Sequence, residues 1–248
     1  SVGFDHIDTD YAKKKKIRVG YTPEVLTDAT ADMAFSLLLD IARRTTEADR
    51  IIRDGKWKEI YGAFDYVGVD LQGKTIGILG LGRIGSTLAK RAKAFDMKVI
   101  YHNRKRVAKT KEKSLDAKYV SFEKLITESD FLSIHVPHTK ETDRLFNMKI
   151  FKKMKKSSFL INTSRGKVVN EKDLAIALKK RIISGAGLDV FEKEPIKKNH
   201  PLVKLPNIVL APHIGSSTKE TRIKMAEITV KNLNLGINGK KPTYSVGY

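Results

Sequence analysis

Arg165, Glu194 and His213 are the residues of this sequence whose types could act together on a small anionic substrate. Each follows a short apolar run, as residues at the carboxyl ends of parallel strands do, and such ends share one edge of a sheet. A histidine can donate a proton near neutral pH. An adjacent glutamate would favour its imidazolium form, and a guanidinium can grip a carboxylate with two parallel N–H groups.

These groups suit the reduction of a 2-keto acid, which needs a hydride at carbon, a proton at oxygen and a clamp for the carboxylate. We expect His213 to donate the proton with Glu194 in support, and Arg165 to bind the carboxylate and polarise the carbonyl. A reduced nicotinamide dinucleotide would supply the hydride. The sequence has no cysteine, which excludes thiol nucleophiles, disulfides and Cys-ligated metals, and we predict no metal site.

A dinucleotide site is indicated by the sequence K-T-I-G-I-L-G-L-G-R-I-G at Lys74–Gly85, which follows an apolar run and precedes a helical pattern. The first glycine of its G-x-G-x-x-G permits a tight turn, the second lets backbone N–H groups approach a pyrophosphate, and the third lets helix and strand pack closely. The helix N-terminus would then face the diphosphate. The predicted cofactor contacts here are Gly80, Gly82, Arg83, Ile84 and Gly85.

The sequence after the next apolar run indicates which dinucleotide is used. An NAD site normally has Asp or Glu there to accept the ribose 2′-hydroxyl. Here Asn103 is followed by Arg104, Lys105 and Arg106, and the first carboxylate is Glu112. Cations attract a 2′-phosphate and cannot accept a hydrogen bond from a ribose hydroxyl. We therefore predict NADP (NADPH) in preference to NAD, with Arg104 as the main contact and Asn103 and Arg106 in support.

Short apolar runs alternate with amphipathic segments through most of the chain, which predicts an α/β fold with a parallel sheet covered on both faces. A first helical region covers Pro23–Arg53. The predicted strands are Thr75–Leu79, Lys98–Tyr101, Phe131–Val136, Ser158–Asn162, Ala186–Val190 and Ile208–Ala211. The other predicted helices are Ile84–Phe95, Phe122–Thr127, Met148–Met154, Glu171–Lys180 and Lys219–Leu235.

Composition sets the remaining limits. The chain has 248 residues, 41% of them apolar, enough for a sizeable core. Its longest apolar stretch, around Phe35–Leu39, is too short to span a bilayer, and we expect a soluble, cytoplasmic protein without membrane contact. Lys and Arg total 48 against 28 Asp and Glu, a net charge of +20. That charge keeps a nucleic-acid partner open as an alternative, although no helix-turn-helix pattern accompanies it.

Several further motifs occur in a characteristic order. They are S-V-G-F-D-H-I-D at Ser1–Asp8, Y-T-P-E-V-L-T-D-A-T-A-D at Tyr21–Asp32, G-I-L-G-L-G-R-I-G at Gly77–Gly85 and H-V-P-H-T at His135–Thr139. With the segments around Arg165, Glu194 and His213, they make nearly the whole chain resemble the D-isomer-specific 2-hydroxyacid dehydrogenases. The resemblance is closest to the glyoxylate/hydroxypyruvate reductase branch.

The resemblance implies roles for particular positions. Arg165, Glu194 and His213 match the catalytic residues, and the backbone at Val2 and Gly3 matches a grip on the substrate carboxylate. The Asn103–Arg104 pair matches NADPH-preferring members. Further positions match residues that line the cofactor, Asp189 at the nicotinamide carboxamide among them: Val136, Pro137, Thr163, Asp189, His213 and Gly215.

The resemblance also implies a domain organisation. Residues 25–215 would form a Rossmann-type dinucleotide-binding domain. Residues 1–24 and 216–248 would be remnants of a smaller, flavodoxin-like substrate domain, because family members have further elements before the position of Ser1. The long helical region and the segment around Trp57 resemble the part through which family members form homodimers.

The function that follows is NADPH-dependent reduction of glyoxylate or hydroxypyruvate to the D-2-hydroxy acid. Two alternatives stay open at this stage. One is another D-2-hydroxyacid dehydrogenase, of the phosphoglycerate or D-lactate type. The other is a dinucleotide-sensing binding protein similar to the corepressors that share this fold.

Overall fold

The computed structural model describes residues 3–247, which divide into two compact units. The larger unit is Ala31–Ile214. The smaller unit combines residues 3–30 with residues 215–247. The two units are described separately below.

The limits of the larger unit differ slightly from the predicted dinucleotide-binding domain, residues 25–215. The N-terminal limit falls inside a helix, Thr27–Arg43, which begins in one unit and continues into the other. The assignment of residues 1–24 and 216–248 to a substrate domain remains a prediction.

The larger unit is built on a single seven-stranded parallel sheet. In chain order its strands are β1 (Thr75–Leu79), β2 (Lys98–His102), β3 (Ala117–Tyr119), β4 (Phe131–Ile134), β5 (Phe159–Asn162), β6 (Gly185–Leu188) and β7 (Ile208–Leu210). Across the sheet the order is β3-β2-β1-β4-β5-β6-β7, so the direction of progression reverses between β1 and β4. Open α/β sheets bind ligands beyond the strand ends at such a reversal.

The six predicted strands are all present, with ends that differ from the prediction by at most two residues. The seventh strand, β3, was missed. It is three residues long, lies at the edge of the sheet and exposes Lys118. A stretch this short has neither the apolar run nor the alternation by which strands are recognised. The predicted doubly wound, Rossmann-type α/β fold is confirmed.

The described residues contain nine α-helices. They are α1 (Thr9–Lys14), α2 (Thr27–Arg43), α3 (Thr45–Arg53), α4 (Arg83–Ala94), α5 (Lys109–Leu115), α6 (Phe122–Glu128), α7 (Met148–Phe151), α8 (Glu171–Lys179) and α9 (Lys219–Ile237). Within residues 3–247, none of them combines the length and the apolar character needed to cross a membrane.

The long N-terminal helical region is two helices rather than one. Arg44 adopts a left-handed conformation with φ 58° and separates α2 from α3. The side chain of Asp40 caps the N-terminus of α3, because its Oδ1 accepts a hydrogen bond of 2.7 Å from the backbone N–H of Thr46. The apolar periodicity continues across this break, which is why the sequence alone predicted one helix.

Two hydrophobic cores lie on the sheet's opposite faces because side chains alternate along each strand. On one face α2 and α4 bury Leu38 and Leu88 against Ile78. On the other, α6, α7 and α8 pack against strand residues such as Leu132 and Leu160. This double coverage explains why the strands read as continuous apolar runs.

In the smaller unit, Asn232 of α9 is buried and links three segments. Its Nδ2 donates to the carbonyl oxygens of Tyr21 and Tyr244, both at 3.3 Å, and its Oδ1 accepts from the N–H of Tyr244. An antiparallel bridge joins Gly20 to Ser245 nearby. These contacts hold the C-terminal segment against the segment before α2.

The two-core arrangement predicts unequal costs for two truncations on α8. Leu174 is fully buried and Ile176 is 45% exposed. Leu174→Ala should lower the free energy of unfolding by about 2–5 kcal/mol, because it leaves a cavity. Ile176→Ala should cost less than about 1 kcal/mol. Urea denaturation followed by circular dichroism measures both, and equal losses would contradict the assignment of Leu174 to the core.

Candidate active site

The turn after β1 is shaped by close backbone contacts. Gly80 has φ 99°, and a Cβ there would lie 2.7 Å from the carbonyl oxygen of His135. A Cβ on Gly85 would lie 2.3 Å from the carbonyl oxygen of Gly80. Gly82 is different: among residues 3–247, nothing outside its own chain neighbours would come within 4 Å of its Cβ. The first and third glycines are therefore required by packing, and the second borders open space.

The start of α4 borders the same open space. Gly82 caps this twelve-residue helix, Arg83 is exposed and Ile84 is half-buried. The first turn carries no acidic residue that would repel an anion. A helix N-terminus offers unpaired N–H groups and a positive dipole end, which is the arrangement that binds a diphosphate. The open space at Gly82 and this helix end together fit the pyrophosphate of a dinucleotide.

The loop after β4 lies directly beside the turn, because β1 and β4 are paired. It contains Val136, half-buried, and Pro137, exposed. Its His135 is not a candidate acid: burial lowers its pKa to about 4, so the imidazole is neutral at pH 7. One ring nitrogen of His135 instead bonds the hydroxyl of Ser133 at 2.8 Å.

The segment after β5 carries Arg165, which is half-buried. Asn162, the last residue of β5, is buried and ties the turn together. Its Nδ2 donates to the carbonyl oxygen of Arg165 at 3.0 Å, and its Oδ1 accepts from the N–H of Ser164 at 3.0 Å. Within the described residues, the buried hydroxyl of neighbouring Thr163 makes no hydrogen bond. An orphaned buried hydroxyl at a strand end is available to a bound ligand.

The segment after β6 is pressed against the Arg165 turn. A Cβ on Gly166 would lie 1.8 Å from the carbonyl carbon of Phe191, so the two backbones approach as closely as glycine permits. The N–H of Phe191 in turn donates to Oε1 of Glu194 at 2.9 Å. The turn that carries Arg165 and the loop that carries Glu194 are therefore held together.

His213 and Glu194 form a direct pair. The Nδ1 of His213 lies 2.7 Å from Oε2 of Glu194. Because Oε1 is held by Phe191, the carboxylate is oriented, and Nδ1–H donates to it. His213 has φ 55° and its side chain is about half exposed. With Nδ1 bound to Glu194, Nε2 is the ring nitrogen that remains to donate or accept a proton.

Asp189 positions the segment that carries His213. It is 1% exposed, and its Oδ1 accepts a hydrogen bond of 2.8 Å from the N–H of Ile214. The carboxylate is thus buried at the end of β6, next to the histidine's own backbone. A buried carboxylate in this place can also accept a hydrogen bond from an amide N–H of a ligand.

The loop after β2 presents the three residues predicted to choose the cofactor. Asn103 Oδ1 accepts a hydrogen bond of 2.7 Å from the N–H of Leu81, so it braces the glycine-rich turn. Arg104 is exposed. Its charge contributes to lowering the pKa of Glu141, after the larger effect of the Thr139 hydroxyl.

Arg106, predicted as a supporting phosphate contact, has another partner in this structure. Its guanidinium makes a two-pronged ion pair with Glu112, with nitrogen–oxygen distances of 2.6 and 2.7 Å. Sequence reasoning missed this role of Glu112, as it missed that of Asn162. The role of Asn162 could have been inferred from its position at the end of an apolar run. Nothing in the sequence indicated that Glu112 would pair with Arg106.

The other predicted positions are distributed as follows. Val2 lies outside the described residues. Gly3 and Gly215 belong to the smaller unit. Among residues 3–247, no cluster of His, Asp or Glu is arranged to hold a metal ion.

Comparison with known proteins decides the family. The sequence profile described as D-isomer specific 2-hydroxyacid dehydrogenase, NAD binding domain, matches residues 35–215. A glyoxylate reductase of Thermococcus litoralis is 53% identical over 245 residues, which are 98% of this chain and 73% of that protein. The chain belongs to the D-isomer-specific 2-hydroxyacid dehydrogenase family. It is therefore an NAD(P)-dependent oxidoreductase with a nicotinamide dinucleotide as cofactor.

Solved structures of related reductases have the same fold as this chain over nearly all of its residues. A glyoxylate reductase from Paecilomyes thermophila is 37% identical with a TM-score of 0.89, covering 98% of this chain and 72% of that one. An NADPH-dependent glyoxylate/hydroxypyruvate reductase from Sinorhizobium meliloti, in complex with NADP and malonate, is 35% identical with a TM-score of 0.90. That match covers 100% of this chain and 76% of the other.

The open space at Gly82 yields a prediction for this dehydrogenase. Gly82 has a negative φ of −79°, so alanine fits its backbone, but the added methyl would occupy the space where the diphosphate is expected. Gly82→Ala should weaken dinucleotide binding at least about tenfold with no loss of thermal stability. Fluorescence titration with NADPH and with NADH measures the binding.

The matched control is Gly236→Ala, at a second site that has open space and a compatible backbone, in α9. It should leave dinucleotide binding unchanged. Wild-type affinity in the Gly82 variant would show that the dinucleotide does not approach this turn.

Proposed function

We propose that this dehydrogenase reduces glyoxylate, and the related keto acid hydroxypyruvate, to the D-2-hydroxy acid with NADPH. The observation that carries the proposal is the oriented Glu194–His213 pair, 2.7 Å apart, at the edge of the sheet where the cofactor turn also lies. The relatives named glyoxylate reductase support this choice of substrate, since the Thermococcus litoralis protein is 53% identical.

His213 acts as the acid in this reaction. Glu194 accepts a hydrogen bond from Nδ1–H and stabilises the imidazolium, so that Nε2–H is the proton that passes to the carbonyl oxygen. When bound, the reduced nicotinamide ring supplies the hydride to the carbonyl carbon. The carbonyl thereby gains a hydride at carbon and a proton at oxygen, and His213 becomes neutral. In the reverse direction the neutral imidazole takes the hydroxyl proton.

Arg165 binds the substrate. Its guanidinium matches the two oxygens of a carboxylate and also polarises the adjacent carbonyl group. The Asn162 amide that holds its backbone, and the close contact of Gly166 with Phe191, keep it in register with Glu194. The backbone of Val2 and Gly3 is proposed as a second grip on the substrate carboxylate.

The cofactor contacts follow from the same edge. The glycine-rich turn receives the diphosphate, and Thr163 and Asp189 offer an orphaned hydroxyl and a buried carboxylate to the nicotinamide portion. The exposed Arg104 supports a preference for the 2′-phosphate of NADPH. The same preference appears in the name of the Sinorhizobium meliloti relative.

A homodimer is also proposed. The segment between α3 and β1 carries large apolar side chains that a second copy would cover, since Trp57, Ile60 and Phe64 are all more than half exposed. Exposed apolar patches of this kind mark interaction surfaces.

The role of His213 predicts a separation of turnover from binding. His213→Ala should lower kcat for glyoxylate by about 10²–10⁴-fold, because general acid catalysis is lost. The dissociation constant for NADPH should change less than about threefold, since binding draws on many other contacts. Absorbance of NADPH and fluorescence titration give the two quantities. An equal loss of both would contradict the acid–base role.

The role of Arg104 predicts a change of cofactor preference. Arg104→Asp should weaken NADPH binding at least about tenfold, because a carboxylate repels the 2′-phosphate. It should favour NADH binding, because the carboxylate can accept a hydrogen bond from the ribose 2′-hydroxyl. Lys105→Asp is the matched control, with the same change of charge at the neighbouring exposed position. Equal effects of the two substitutions on kcat/KM would mean that Arg104 makes no specific contact.

A further inference from the structure

Glu112 is the first carboxylate after β2, yet it is withdrawn from the cofactor edge. Its side chain is only 11% exposed, and three donors reach it. The Nε–H of Arg106 donates to one carboxylate oxygen at 2.7 Å, and its Nη2 donates to the other at 2.6 Å. The hydroxyl of Tyr101, a fully buried residue of β2, also donates to it.

These contacts attach the loop after β2 at several points. The N–H of Val107 donates to the Tyr101 hydroxyl oxygen at 3.2 Å. The hydroxyl of Tyr119, in β3, donates to the carbonyl oxygen of Asn103 at 3.2 Å. The guanidinium of Arg106 lies over the Tyr119 ring, 5.6 Å from its centroid. Both ends of the loop are therefore anchored, and Arg104 lies between the anchors.

The charges in this network reinforce it. The hydrogen bonds from Arg106, first, and from Tyr101 hold the pKa of Glu112 at about 2. Burial, followed by the bond to Glu112, raises the pKa of Tyr101 to about 12. Glu112 is thus ionised and Tyr101 protonated through the whole neutral range, so that the network keeps one arrangement of donors and acceptors.

The network has a consequence for cofactor choice. A carboxylate free at this strand end would accept a ribose hydroxyl and repel a 2′-phosphate. Here the carboxylate is turned inward and shared between Arg106 and Tyr101, while Arg104 stays exposed on the same loop. The negative charge of Glu112 is thereby compensated by Arg106, and Arg104 stays available to an anionic ligand.

We infer that Glu112 is a positioning residue for cofactor preference: through Arg106 and Tyr101 it fixes the loop so that Arg104 meets the 2′-phosphate. Arg106 then serves the loop rather than the phosphate. This inference rests on the proposed use of NADPH and adds a residue that does not itself touch the cofactor.

The test compares Glu112→Ala with wild type by fluorescence titration with NADPH and with NADH. The variant should weaken NADPH binding about tenfold, the order expected when a charge-assisted contact is misplaced. NADH binding should change less than about twofold, because that cofactor has no 2′-phosphate. Tyr101→Phe removes a single hydroxyl and should raise the ratio of the NADPH to the NADH dissociation constant by about threefold. This variant provides the test if the alanine variant does not fold.

Glu123→Ala is the matched control. Glu123 lies in α6 and pairs with Lys153 at 2.9 Å in an exposed ion pair, so its loss should leave both dissociation constants unchanged. Circular dichroism and thermal melting confirm that each variant is folded before titration.

Four results would overturn the inference. Equal weakening of NADPH and NADH would make Glu112 a general support of the fold. Tighter NADPH binding in Glu112→Ala would mean that the released Arg106 contacts the phosphate directly. If the wild type does not prefer NADPH, both the proposed cofactor preference and this inference are wrong. If the wild type prefers NADPH and Glu112→Ala keeps that preference unchanged, only the inference about Glu112 is wrong.

Discussion

The parallel pairing of β1 with both β2 and β4 is the constraint on which the rest of the site depends. Parallel strands all end at the same edge of a sheet, so each loop that leaves a strand there becomes a neighbour of the next. The reversal of strand order at β1 separates the helices on the two faces and opens a crevice between the loops. Residues more than a hundred positions apart along the chain thereby reach one edge.

Pairing of opposite charges then orients what the sheet brings to that edge. Glu194 is held by the N–H of Phe191 and in turn holds His213, and Glu112 is held by Tyr101 and in turn holds Arg106. Both pairs combine a carboxylate fixed at one oxygen with a cationic or proton-carrying partner. In the first pair the partner is His213, the proposed acid, and in the second it is Arg106, which braces a loop.

Local sequence predicted most of the elements and stopped at identifiable places. Apolar runs covered on both faces predicted six strands to within two residues. The edge strand β3 and the lysine-rich helix α5 were missed because little of either is apolar, and the break at Arg44 was missed because the periodicity runs through it. For the site, residue types at strand ends indicated Arg165, Glu194 and His213, and Asn162 was overlooked among the strand residues.

The sequence by itself determined the types of the reacting groups, the glycine spacing of the cofactor turn and the order of the motifs, because each is a property of a short segment. Only the tertiary structure decided their partners. The 2.7 Å contact of His213 with Glu194, the close approach of Gly166 to Phe191 and the capture of Arg106 by Glu112 depend on how strands and helices pack. Such contacts join atoms whose distance is set by the whole fold, and spacing along the chain does not encode it.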